Sequence, residues 1–83
     1  MNQKTFNRLS IEDKRALVQR DGTFLASRQH ISHIVHLYDL NGTYIEVWIK
    51  IGFDLIEWIE ITNNKETINS YLKNINIDKD LEL

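Results

Sequence analysis

The pair Asn41-Gly42 most constrains what this chain can fold into. It lies between two β-rich runs, and a two-residue loop of this composition favours a type I′ turn, which needs positive φ at both positions. The run before it is His33-Ile34-Val35-His36-Leu37-Tyr38-Asp39-Leu40. The run after it is Thr43-Tyr44-Ile45-Glu46-Val47-Trp48-Ile49-Lys50-Ile51. A tight antiparallel hairpin follows. Gly52-Phe53 then suits a type II′ turn into a further strand over residues 54–61. A shorter β-rich stretch over residues 23–28 precedes the hairpin, giving four strands in sequence.

Helices flank these strands. Ser10 is a good N-cap, with Glu12 and Asp13 in the first turn to complement the helix dipole. Its apolar stripe is narrow, Ile11, Leu17 and Val18, with the Lys14 stem between them, and Gly22 reads as a left-handed C-terminal stop. Near the other end, Asn63 and Glu66 have capping spacing. Ile68, Tyr71, Leu72 and Ile75 then fall at i, i+3, i+4 and i+7, the apolar face of a helix over residues 64–75. The expectation is one α+β domain over residues 1–83, two-layered, ordered α-β-β-β-β-α around an antiparallel meander sheet. Residues 1–9 and 78–83 are read as flexible ends.

The stretches Gly22-Thr23-Phe24-Leu25-Ala26-Ser27-Arg28 and Leu37-Tyr38-Asp39-Leu40-Asn41-Gly42-Thr43-Tyr44-Ile45-Glu46-Val47-Trp48 resemble a group of short uncharacterised bacterial proteins of similar length. The resemblance spans most of the chain and contains no catalytic motif. It supports the element order and implies no activity.

The two turns set the strand registers. Tyr38 should face Ile45, His36 Val47, Ile34 Ile49, Ile49 Ile56, and Val47 Trp58. One sheet face then gathers Ile34, His36, Tyr38, Ile45, Val47, Ile49, Ile56 and Trp58, and should carry the helices. The other gathers Val35, Leu37, Tyr44, Glu46, Trp48, Lys50, Leu55, Glu57, Ile59 and Ile61. A half-covered antiparallel sheet normally shows a polar outer face. This second face keeps aromatics and aliphatics, more than soluble monomers leave open. Val35, Leu37, Tyr44, Glu46, Trp48, Glu57 and Ile59 are therefore the expected interface residues, with a second copy as the most economical partner. The alternative places one helix on each face, or folds residues 77–83 over the second.

Composition narrows the chemistry. The 83 residues include no Cys, which removes disulfides, thiol catalysis and cysteine-held metals. No apolar run reaches the roughly 18 residues of a membrane span, and residues 1–8 lack a signal-peptide core, so the expected setting is cytoplasmic, without a membrane partner. His30, His33 and His36 recur every third residue. On one strand, however, His33 would point away from the other two, so no metal is expected. Glu46 and an opposing Glu57 have no nucleophile or oxyanion donor nearby in sequence. Neither catalysis nor a cofactor is expected. Nucleic acid is the secondary alternative, through Lys4, Arg8, Lys14, Arg15, Arg20 and Arg28. The net charge of −2 and the scatter of these residues weigh against it. Charge is uneven along the chain: residues 1–22 carry five basic and three acidic side chains, residues 52–83 three basic and seven acidic.

Overall fold

Asn41 and Gly42 adopt φ of 52° and 89°, the type I′ pattern, and the Gly42 amide donates to Asp39 Oδ1 at 2.8 Å. The computed structural model describes residues 2–71. Its elements are α1 (Gln3–Asn7), α2 (Ile11–Asp21), β1 (Thr23–His30), β2 (His33–Leu40), β3 (Thr43–Lys50) and β4 (Leu55–Ile61). Residues 65–71 are helical and are called α3. The strands form one antiparallel sheet in the order β1-β2-β3-β4. The α-β-β-β-β-α order and the meander are as the sequence predicts. One short helix, α1, is added at the front.

That addition has a reason. Phe6 is fully buried among Val18, Leu40, Ile45, Val47 and Ile59. Burying such a ring is worth about 1.5–3 kcal/mol, enough to seat a five-residue helix that would not persist alone. Asn2 caps it, accepting from the Thr5 amide. Phe6 thus anchors α1 to the core, while the other four residues of the helix are exposed. Residues 78–83 lie outside the described residues.

In α2 the Ser10 hydroxyl accepts from the Asp13 amide at 3.1 Å, the predicted cap. Lys14 bridges helix and sheet: its ammonium donates to the Ile59 carbonyl of edge strand β4 at 3.2 Å and lies 5.4 Å from the centre of the Phe6 ring. Gly22 is not left-handed; its φ is −83°. A side chain there would meet the Val18 carbonyl at 2.5 Å, so the glycine serves a close approach instead.

The β2–β3 register matches expectation throughout. At the next turn the loop is longer than expected. Residues 51–54 leave the ladder, the Phe53 amide donates to the Lys50 carbonyl, and Gly52 takes φ 89°, as at the third position of a type II turn. Ile49 still faces Ile56, but Trp48 faces Trp58 and Val47 faces Ile59. Glu57 is the extra residue of a β-bulge, and everything after it moves to the opposite face. Ile59 and Ile61 join the helix-side core, and Trp58 crosses to the second face.

The β1–β2 hairpin is tighter than the sequence suggests. Its loop is only Ile31-Ser32, so His30 pairs with His33. Ile31 carries a positive φ of 55°, a rare conformation for a β-branched side chain. The α3 cap is Asn64, one residue later than predicted: its Oδ1 accepts from the Glu66 amide at 2.8 Å.

Candidate functional site

The predicted interface residues divide into three groups. Val35, Leu37 and Glu46 do share the second face, but they are buried, as is Tyr71 of α3. Ile59 is in the helix-side core. Tyr44, Trp48 and Glu57 remain at least partly accessible. The expected open apolar face is therefore closed at its centre. The helices are divided between the faces, α1 and α2 on one and α3 on the other, because Tyr71 reaches Glu46.

That contact belongs to a buried polar cluster. Glu46 Oε2 accepts from Arg28 Nη2 at 3.0 Å and from the Tyr71 hydroxyl at 2.5 Å. The Arg28 guanidinium lies 5.3 Å from both the Trp48 and the Tyr71 ring centres. Burial opposes the Arg28 charge, yet Tyr71 and Glu46 more than offset this and raise its pKa. Burial, reinforced by the bond to Glu46, holds the Tyr71 hydroxyl well above the ordinary tyrosine range, although Arg28 pulls the other way. Glu46 opposes Glu60 across the β3–β4 pair, not Glu57. Arg28 is thus engaged by Glu46 and flanked by two aromatic rings.

Beside it lies an aromatic stack. The Trp48 and Trp58 rings are 4.8 Å apart and nearly parallel. His30 and His33, brought side by side by the hairpin, both set their edges against Trp48. His33 also contacts Glu57, the bulged residue. Trp48 Nε1 and Arg28 Nε are buried without a hydrogen-bond partner among the described residues. His36, by contrast, lies on the helix face against Phe24, and burial lowers its pKa. Among the described residues no His, Asp or Glu group is clustered for metal binding.

Apolar side chains are exposed at both ends of the sheet, with Phe24, Leu25 and Tyr44 near the Asn41-Gly42 turn and a larger group at the opposite end. There the β1–β2 and β3–β4 turns are tied together by the Ile51 amide, which donates to the Ser32 carbonyl at 2.9 Å. Ile31 is 84% exposed, Phe53 73% and Leu55 58%, and Ile34 and Ile51 are exposed as well. Next to the longer turn a groove of ≈ 300 Å³ is lined by Ile11, Glu12, Arg15, Asp54, Leu55 and Ile56. Asp54 holds a left-handed φ of 51° there.

Sequence reasoning missed this end because it paired strands and faces but not turn tips. The signal was Phe53 inside a glycine turn and Ile31 between His30 and Ser32, large apolar residues where turn formers are usual. Among the described residues no helix is long and apolar enough to cross a membrane. The chain matches no protein-family model, no curated protein and no solved structure.

Proposed function

We propose that this chain is a small, non-catalytic protein-interaction module that docks through the more apolar end of its sheet. One observation carries the reading: Ile31, Ile51 and Phe53 stand exposed on two turns that a hydrogen bond holds together, with Leu55 exposed at the start of β4 beside them. A group of large apolar side chains left exposed on neighbouring turns supports an interaction site. Ile31 adds weight. A left-handed β-branched residue costs about 1–2 kcal/mol, and with its side chain in solvent, Ile31 recovers little of that by packing. The tight hairpin requires that φ, yet Gly or Asn would meet it at lower cost, so a bulky apolar side chain exposed at this tip supports a role in contact. The partner surface thus shifts from the predicted second face to the sheet end, with Trp58, Glu57 and Tyr44 as accessible neighbours.

The test is a photo-crosslinking phenylalanine analogue at position 53, irradiated in native cytosol, against the same analogue at Gln19 on exposed α2. The module reading expects discrete protein adducts from position 53 only, lost when Ile31→Asp is added. Equal labelling from both positions, or none from position 53, overturns it.

A further inference from the structure

The more apolar end carries both a projection and a recess, and together they identify an occupant. Phe53 projects from the β3–β4 turn. The groove begins at the very next residue, since Asp54, Leu55 and Ile56 form one wall and Ile11, Glu12 and Arg15 of α2 form the other. Its apolar part is Ile11, Leu55 and Ile56. Its charged part is Glu12 and Arg15 on the α2 wall and Asp54 on the other.

We infer that the groove receives Phe53 of a second copy of this chain, and that Arg15 of each copy meets Asp54 of the other. This inference rests on the docking reading above and names its partner. Two features favour a second copy over an unrelated protein. First, knob and hole are adjacent in the chain, so a twofold axis between them inserts each ring into the other groove and closes the contact. A knob and hole on different sides of the molecule would favour a head-to-tail contact, closing into a ring or running on as a filament. Second, the charges are self-complementary. Rotation about that axis sets a groove bearing Arg15 and Asp54 against an identical one, so each cation gains a carboxylate and each carboxylate a cation. The contact is small compared with stable interfaces. It makes a weak dimer, with Kd on the order of 10 μM.

The experiment is a charge exchange between chains, followed by sedimentation over a concentration series. Arg15→Glu alone places like charges opposite Asp54, and Asp54→Lys alone places them opposite Arg15. Each variant should raise Kd about tenfold or more. Mixing the two should restore the dimer, because the heterodimer has an opposite-charge pair at both contacts. Only pairing between chains predicts recovery on mixing. Asp54→Asn, which tolerates the left-handed backbone, guards against a folding defect and should weaken the dimer several-fold. Phe53→Ser should abolish it. A wild type that stays monomeric at about 1 mM, a hundred times that Kd, overturns the inference, and so does a mixture that stays monomeric while wild type pairs. In either case, adducts of Phe53-site probes with a different protein leave the docking reading standing, so the two failures are distinguishable.

Discussion

The two faces of the sheet are closed by different physics. On one, α1 and α2 cover Phe6, Val18, Leu40, Ile45, Val47 and Ile59, a cluster without a buried charge. On the other, α3 brings Tyr71 down on Glu46, and a carboxylate, a guanidinium and a phenol meet beneath it. Apolar packing rewards area and tolerates small rearrangements. A buried ion pair returns little net energy but strongly penalises any partner that is missing. Apolar burial contributes on both faces, through Val35 and Leu37 on the second, but only there does a buried charge pair also fix the seat of α3.

This contrast can be broken at three points. Phe6→Ala should cost most, about 3–5 kcal/mol, because it leaves a cavity where α1 joins the core; urea unfolding monitored by tryptophan fluorescence measures it. A loss below about 1 kcal/mol would mean that α1 is not part of the cooperative core. Glu46→Gln comes next, at about 2–3 kcal/mol, since Arg28 then keeps a buried charge with no counter-ion. Replacing the whole cluster, as Arg28→Met, Glu46→Leu and Tyr71→Phe together, should cost less than Glu46→Gln alone. If the triple variant is the worse of the two, the buried polar cluster supplies net stability after all.

The smallest effect is a pH dependence. The Tyr71 pKa is raised in the folded chain, mainly by burial. The unfolded chain therefore releases its proton first, near pH 10. The contribution is complete below that pH and declines as pH rises beyond it. Wild type should lose stability between pH 9 and 11 more steeply than Tyr71→Phe does, read from the urea midpoints at each pH. Equal slopes would remove Tyr71 from the buried cluster.

How much of this was legible beforehand follows from the range of each signal. Asn41-Gly42 is a local signal, and it placed β2 against β3 residue by residue. Ser10 likewise marked the start of α2. The bulge at Glu57 depends instead on how the Gly52 loop and the helix-side core share space. No residue near Glu57 announces it, and so Trp58, Ile59 and Ile61 were assigned to the wrong faces. Ile31-Ser32 hid a hairpin because a β-branched residue is unusual at the left-handed first position of such a turn, and that concealed the meeting of His30 with His33. Arg28 and Glu46 stand on β1 and β3, separated by β2, so their pairing required both registers at once. Phe6 looked like part of a tail because five helical residues show no periodicity.

The Lys14 ammonium on the Ile59 carbonyl has a consequence for life at high concentration. An outer strand with unclaimed amides and carbonyls invites further chains to add on, and repeated addition ends in ribbons. On β4 that template is interrupted midway by an ammonium group that an incoming strand would have to evict. Growth of the sheet from this rim is discouraged by the same lysine that fastens the helix, without a proline anywhere in the chain.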